Sequence, residues 1–217
     1  MRLKVCGMTE PAQIDALEKM DVTFGGLIFY PKSPRYALRH MTTQQIKSFK
    51  TINKVGVFVN ASIDEIKHMV DECRLQLVQL HGDETPKFCE KIADYISVVK
   101  AFRIAENDDV AYKIRDYMDM CDMFLFDTKP LTPGTETPYG GTGKKFNWDL
   151  LKNVDVGKPY FLSGGIGPDD VADVHAFMQQ PAAKALFALD VNSKFETSPG
   201  VKDMSKVSQF YNDIKAF

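Results

Sequence analysis

Val55-Gly56-Val57-Phe58-Val59 is a nearly continuous apolar run, and Ser62-Ile63-Asp64-Glu65 follows it after two intervening residues. An apolar run of this kind is typical of a parallel strand that is covered on both faces. The Ser-x-x-Glu pattern predicts a capping box that opens a helix, and we expect this helix to run to Cys73. Together the two segments predict a strand joined directly to a helix.

The same alternation of short apolar runs and longer amphipathic stretches extends along the whole chain. We predict strands over residues 3–6, 24–29, 54–59, 75–80, 96–101, 123–127, 160–163 and 185–189. We predict further helices over residues 11–20 and from the sequences Pro168-Asp169-Asp170-Val171 and Val201-Lys202-Asp203-Met204. About eight strands alternating with helices favour an α/β fold, a single closed (β/α)8 TIM barrel over residues 1–217, rather than an open doubly wound sheet.

Composition narrows the classes of function. The chain has 217 residues, 44% of them hydrophobic, and a net charge of −2. This near-neutral balance predicts no binding to nucleic acid and none to an anionic membrane surface. No signal peptide or membrane span is evident, and the four cysteines show neither Cys-x-x-Cys pairing nor zinc-type spacing. We therefore expect a cytoplasmic protein with reduced thiols and no metal site.

Two reactive side chains close predicted strands in distant parts of the chain. Cys6 ends the run Leu3-Lys4-Val5-Cys6, and Asp127 ends the run Met123-Phe124-Leu125-Phe126-Asp127. The active site of such a barrel lies at the C-terminal ends of its strands, so a thiol and a carboxyl on this rim suggest a proton-transfer pair. Taken alone, Cys6 fits a small buried hydrophobe better, and Asp127 fits a turn cap better. The pairing depends on their shared position.

Two late turns carry the signal of a phosphate site. Gly164-Gly165 follows the seventh predicted strand, and Asn192-Ser193 follows the eighth. Barrels of this class often hold phosphate on backbone N–H groups of the loops after these two strands. The alternative is that the glycines only make tight turns. Because both turns follow the strands at which such barrels hold phosphate, we favour a phosphate site over simple tight turns.

Weaker candidates surround these residues. Arg35 lies in the proline-stiffened loop Tyr30-Pro31-Lys32-Ser33-Pro34-Arg35 and is either a fork for a carboxylate or phosphate or a solvated surface arginine. His81 follows the fourth predicted strand and is either a site residue or a strand-end cap. The segment 129–145 is rich in proline and glycine, and we expect a lid over the barrel mouth there.

Several of these segments together resemble one family. The chain resembles phosphoribosylanthranilate isomerase over nearly its whole length, in motifs that include Lys4-Val5-Cys6-Gly7, Val78-Gln79-Leu80-His81-Gly82, Phe126-Asp127, Gly140-Gly141-Thr142-Gly143, Leu162-Ser163-Gly164-Gly165 and Asp190-Val191-Asn192-Ser193. The resemblance implies an Amadori rearrangement of a phosphosugar, phosphoribosyl anthranilate, in tryptophan biosynthesis, without cofactor or metal.

The resemblance also implies roles for individual residues. Asp127 would be the general acid that opens the ribose ring, and Cys6, as a thiolate, the general base. Arg35 would hold the anthranilate end, and His81, Gly141 and Asp190 would be further substrate-binding residues. Gly164, Gly165, Asn192 and Ser193 would bind the phosphate. A thiolate at Cys6 requires positive charge or hydrogen bonds close to the sulfur.

The sequence leaves three points open. Lys194-Phe195 stands where many members of the family carry a glycine and a small apolar residue, which reshapes the expected phosphate turn. The loop from Thr128 to Tyr139 is long, and the chain fits either a monomer or a homodimer. Other readings are a histidine-pathway isomerase, an indole-glycerol-phosphate lyase and a phosphate-binding barrel without catalysis. The thiol at Cys6 argues against the two other enzymes.

Overall fold

The barrel closes on itself. The structure is a computed structural model that describes residues 1–128, 147–152 and 154–216. Eight parallel strands follow one another in chain order around a closed barrel, and the first strand pairs with both the second and the eighth. These strands are β1 (Leu3–Val5), β2 (Phe24–Ile28), β3 (Asn53–Phe58), β4 (Leu77–Leu80), β5 (Val98–Ile104), β6 (Met123–Thr128), β7 (Tyr160–Leu162) and β8 (Leu186–Val191). The predicted (β/α)8 barrel is confirmed.

In the described part of the chain, helices follow all the strands except β6. They are α1 (Pro11–Lys19), α2 (Thr43–Ser48), α3 (Ile63–Cys73), α4 (Pro86–Ala93), α5 (Val110–Ile114), α6 (Val171–Met178) and α7 (Met204–Lys215). Helix α3 begins with the predicted capping box, because Ser62 and Glu65 each bond the other's backbone N–H. Short 3-10 turns lie at 37–39, 115–117, 148–151, 168–170, 181–185 and 193–195. None of the described helices is long and apolar enough to span a membrane.

Three of the predicted boundaries that differ from the structure bear on the site. Val201–Lys202 does not open a helix but pairs, as β10, with β9 (Glu196–Ser198) in a small antiparallel sheet, and α7 begins only at Met204. Strand β5 runs on to Ile104 because its last residues pair with the end of β6. Strand β8 runs on to Val191 because it pairs with β1, so Asp190 lies within the strand rather than after it.

Two apolar layers hold the barrel together. The larger one lies between the strands and the helices, and the smaller one fills the barrel interior with Phe24, Val55, Leu77, Val99, Ala101, Leu125, Phe161 and Ala188. Phe24 and Phe161 pack edge to face there, with ring centroids 5.5 Å apart. Because this layer is apolar and packed, polar side chains that point inward are confined to the C-terminal half of the barrel.

Candidate active site

The two-residue period of the strands carries polar side chains onto the inner rim. Alternate residues of a strand face the same side, so the apolar interior residues Leu77, Leu125 and Ala188 are each followed two residues later by a polar one. Those polar residues are Gln79, Asp127 and Asp190. The same period carries Lys4 to Cys6 and Gln79 to His81 along their strands. The packed apolar interior of the barrel is thus followed directly, at the C-terminal strand ends, by inward-facing polar side chains.

One cavity collects the predicted site residues. It encloses about 770 Å³ of empty space, its open mouth included. Its lining includes every predicted site residue that the structure describes, namely Cys6, Arg35, His81, Asp127, Gly164, Gly165, Asp190, Asn192 and Ser193. Gly141 and the rest of the expected lid, residues 129–145, lie outside the described residues.

Cys6 stands at the rim directly after β1 and is 5% exposed. Gly26 on the neighbouring strand leaves room for it, because a Cβ there would lie 2.8 Å from Cys6 Sγ and 2.9 Å from its Cα. Burial raises the pKa of the Cys6 thiol, while the charge of Lys4 lowers it, Asp190 raises it further and Lys202 lowers it. Burial is the largest of these effects, so the net shift of the pKa is upward. The positive charge that a thiolate requires is present, but it does not outweigh the desolvation of the thiol.

Asp127 and His81 form a pair on another part of the rim. Asp127 Oδ1 accepts a hydrogen bond from its neighbour Thr128 N at 2.8 Å, and His81 Nε2 lies 3.3 Å from Asp127 Oδ2. Gln79 Nε2 lies 2.6 Å from His81 Nδ1. With Gln79 as the donor, Nδ1 accepts, and the proton of a neutral ring is on Nε2, facing Asp127. His81 is therefore a partner of the carboxyl, not a strand-end cap.

Arg35 is held by a carboxylate of the protein. Its Nε and Nη2 donate to Glu196 at 2.7–3.1 Å in a bidentate arrangement. Lys202 Nζ donates to Glu196 Oε1 at 2.6 Å and to Asn192 Oδ1 at 2.7 Å. Burial would raise the pKa of Glu196, but the bonds from Arg35 and Lys202 outweigh it, and the net shift is downward. Arg35 is thus a fixed fork on the cavity wall rather than a solvated side chain.

The turn after β7 has a backbone conformation that favours glycine. Gly164 and Gly165 have φ values of +89° and +74°, a conformation that side-chain-bearing residues rarely adopt. A Cβ on Gly164 would lie 2.4 Å from Thr128 Oγ1 and 2.8 Å from Thr128 N. The turn can therefore approach β6 closely because position 164 is glycine, and both positions can adopt this backbone conformation because neither carries a side chain.

Comparison with known proteins decides the family. The profile of N-(5'-phosphoribosyl)anthranilate (PRA) isomerase matches residues 3–213. The chain belongs to the PRA isomerase family. It is accordingly an isomerase of tryptophan biosynthesis. The match favours this reading over a histidine-pathway isomerase, a lyase or a barrel that only binds phosphate.

Individual relatives cover the chain from end to end. The N-(5'-phosphoribosyl)anthranilate isomerase of Phocaeicola vulgatus is 38% identical over 216 residues, which cover 99% of this chain and 98% of the relative. Monomeric forms of the dimeric isomerase from Thermotoga maritima match with a TM-score of 0.79 at 28% identity, over 100% of both chains. A PRA isomerase in complex with reduced 1-(o-carboxyphenylamino)-1-deoxyribulose 5-phosphate matches with a TM-score of 0.80 at 27% identity, again over 100% of both chains.

The two side chains of the unusual Lys194-Phe195 pair of this PRA isomerase lie in different environments. Phe195 is fully buried and packs against Phe210 of α7, with ring centroids 5.1 Å apart. Lys194 is exposed, and its Cβ and Cγ lie beside Gly167, in the segment that follows the Gly164-Gly165 turn. The larger apolar side chain is thus accommodated in the core.

Sequence reasoning missed four polar residues of this PRA isomerase. They are Lys4, Gln79, Glu196 and Lys202, of which all but Glu196 are less than 5% exposed. A signal was present for two of them, because Lys4 and Gln79 interrupt otherwise apolar strands two residues before Cys6 and His81. Glu196 and Lys202 carried no such signal, since the β9–β10 sheet that brings them to Arg35 was not predicted.

Proposed function

We propose that this cavity isomerises N-(5'-phosphoribosyl)anthranilate to 1-(2-carboxyphenylamino)-1-deoxyribulose 5-phosphate, with Asp127 as general acid and Cys6 as general base. The observation that carries the proposal is that the thiol after β1 and the carboxyl in β6 line one cavity. Two groups on different parts of one wall can act on neighbouring atoms of a sugar bound between them.

Asp127 opens the ribose ring in this scheme. Its carboxyl gives a proton to the ring oxygen, the bond from the anomeric carbon to that oxygen breaks, and the lone pair of the anthranilate nitrogen forms an iminium. Because Thr128 N–H occupies Oδ1, Oδ2 is the oxygen that carries the proton. The proton on His81 Nε2, 3.3 Å from Oδ2, then faces the carboxylate that remains after the transfer and stabilises its charge.

Cys6 completes the rearrangement. Its thiolate takes the proton from the sugar carbon beside the iminium, and the electron pair of that C–H bond forms an enolamine and neutralises the nitrogen. The enolamine then tautomerises to the ketone. Because burial raises the pKa of this thiol, the thiolate must be formed against desolvation, and the nearby Lys4 and Lys202 ammonium groups supply the opposing field.

The two ends of the substrate are anionic, and the cavity offers two matching regions. The Gly164-Gly165 and Asn192-Ser193 turns are the proposed phosphate site, and the resemblance assigns Gly141 to substrate binding as well. Arg35 is the proposed partner of the anthranilate carboxylate. Since Nε and Nη2 are bonded to Glu196, the Nη1 hydrogens are the ones to reach the ligand. Asp190 lines the cavity beside Cys6 and is proposed to contact the substrate as well.

Arg35→Ala is expected to weaken substrate binding, because it removes the cation proposed to face the carboxylate. A charge-assisted hydrogen bond contributes about 1.5–3 kcal/mol, so KM should rise about ten- to a hundredfold with a smaller change in kcat. Steady-state kinetics measures both constants. Lys32→Ala removes a charge from an exposed position of the same loop and should leave KM unchanged. An unchanged KM in Arg35→Ala would refute the role.

The activity itself has a direct assay. Purified protein mixed with freshly prepared phosphoribosyl anthranilate should make the substrate's fluorescence decay, and chemical derivatisation of the ketone should distinguish the aminoketose product from the isomeric substrate. Rescue of a tryptophan auxotroph that lacks this step gives a second readout. Failure of both, with a folded protein, would overturn the proposal.

Three finer statements are also proposals. We propose that residues 1–217 form one domain, which is supported by the pairing of β1 with β8. A reducing, cytoplasmic location is supported by four free cysteines. The protein is proposed to work as a monomer or a homodimer, and the dimeric relative from Thermotoga maritima makes the second state worth testing by sedimentation.

A further inference from the structure

Lys4 is a charged residue inside the barrel that neither proton transfer uses directly. Its side chain is 1% exposed, and its Nζ lies 2.8 Å from Oδ1 of Asp190, which is 5% exposed. The two residues are direct register partners of β1 and β8. Removing two charges from water is unfavourable by several kcal/mol per ion, and a buried pair rarely recovers more than this. Stability alone therefore gives no reason for the pair.

The place of the pair suggests a reason. Lys4 lies two residues before Cys6, so both side chains face the barrel interior, and the charge of Lys4 lowers the pKa of the Cys6 thiol against the effect of burial. Asp190 lines the same cavity as the thiol. The Lys4 ammonium thus bonds the Asp190 carboxylate on the same inner face of the barrel as the Cys6 sulfur.

Other charged groups also face Cys6. Lys202 approaches from β10 and is bonded to Glu196 and Asn192. Arg35 lies in the loop after β2 and donates a hydrogen bond to the same Glu196. His81 and Asp127 pair with each other on another part of the cavity lining. Lys202 and Arg35 therefore share a carboxylate with each other, whereas Lys4 is the cation whose charge lowers the pKa of the Cys6 thiol most.

We propose that Lys4 is the positioning residue that makes Cys6 a base, and that Asp190 sets how strongly the Lys4 charge acts on the sulfur. This rests on the proposed function, in which Cys6 removes the substrate proton. The ammonium stabilises the thiolate through its charge at short range, inside a barrel that screens this charge less than water does. The Asp190 carboxylate holds the ammonium in place and at the same time cancels part of its field.

The two members of the pair must then act with opposite sign. Loss of Lys4 leaves the Asp190 charge beside the sulfur, so the thiolate becomes harder to form. Loss of the Asp190 charge leaves the Lys4 ammonium unopposed, so the thiolate becomes easier to form. A purely structural pair would behave differently, because loosening the site in either way would expose Cys6 and speed its reaction in both variants.

The test is the pH dependence of Cys6 alkylation by iodoacetamide in the enzyme without substrate. Cys6→Ser gives the background from the three other buried cysteines. Lys4→Met should move the midpoint upward by at least one pH unit, about a tenfold loss of rate at pH 7.5, since one opposite charge at this range shifts a pKa by 1–3 units. Asp190→Asn should move the midpoint downward.

Two further variants keep the test decisive. Lys4→Met with Asp190→Asn removes both charges, and its midpoint should fall between those of wild type and Lys4→Met, which also covers the case in which Lys4→Met alone fails to fold. Lys54→Met removes another buried lysine, whose Nζ bonds backbone oxygens of Ile46 and Phe49, and should leave the midpoint unchanged. Midpoints that move in the same direction in both single variants, or do not move at all, would overturn the inference. The base role of Cys6 would then still be decided separately by turnover of Cys6→Ala.

Discussion

Cys6→Ala is expected to lower kcat by about a hundred- to ten-thousand-fold, the usual contribution of a general base. The substitution removes the only group proposed to take the proton from the sugar carbon. It leaves the Gly164-Gly165 turn and Arg35 untouched, so the affinity for the product should change less than about threefold. Single-turnover fluorescence decay measures the rate, and titration with product measures the affinity.

A matched control separates chemistry from packing. Cys73 is also fully buried, but it lies at the end of α3, away from the cavity. Cys73→Ala should lower thermal stability slightly because it leaves a small void, and it should keep wild-type turnover. If Cys6→Ala kept more than about a tenth of wild-type turnover, the sulfur would not be the base.

Asp127→Asn is expected to cause a loss of similar size, about a hundred- to ten-thousand-fold in kcat. The amide has nearly the same shape, and its oxygen can still accept the hydrogen bond from Thr128 N, but it has no acidic proton to open the ring. Folding and product affinity should therefore stay close to wild type. Near-normal rates in this variant would mean that another group, with His81 the first candidate, protonates the ring oxygen.

A control for this variant is Asp15→Asn, on the exposed face of α1. It makes the same chemical change far from the rim, and its turnover should equal that of wild type. The comparison isolates the carboxyl proton at Asp127 as the cause of the loss.

The fold and the placement of Cys6 and Asp127 at one cavity were predictable from local sequence, for a physical reason. A parallel strand buried on both faces is apolar along its length, so a polar residue that closes it stands out, as Cys6 and Asp127 do. The strand ends share one rim because the barrel closes in chain order. The order of the strands and the polar residues that end them are both visible in the sequence. Together they predict that Cys6 and Asp127 lie on the same rim of the barrel.

The contacts that tune the site were not predictable in the same way. The Arg35–Glu196 fork joins residues 161 positions apart, and the Lys4–Asp190 pair joins residues 186 positions apart. Both depend on details that local patterns do not encode, namely the β9–β10 sheet and the register by which β1 closes on β8. The raised pKa of Cys6 follows from the depth of the cavity, which only the assembled barrel defines.

The separate roles of Cys6 and Asp127 are tested most directly by a deuterium isotope effect on kcat/KM, with substrate labelled at the sugar carbon beside the anomeric carbon. In Cys6→Ser the weaker base should make proton abstraction limiting, so the account predicts a large primary effect. In Asp127→Asn ring opening should be limiting, and the effect should fall towards unity. The reverse pattern, or the same isotope effect in both variants, would contradict the account.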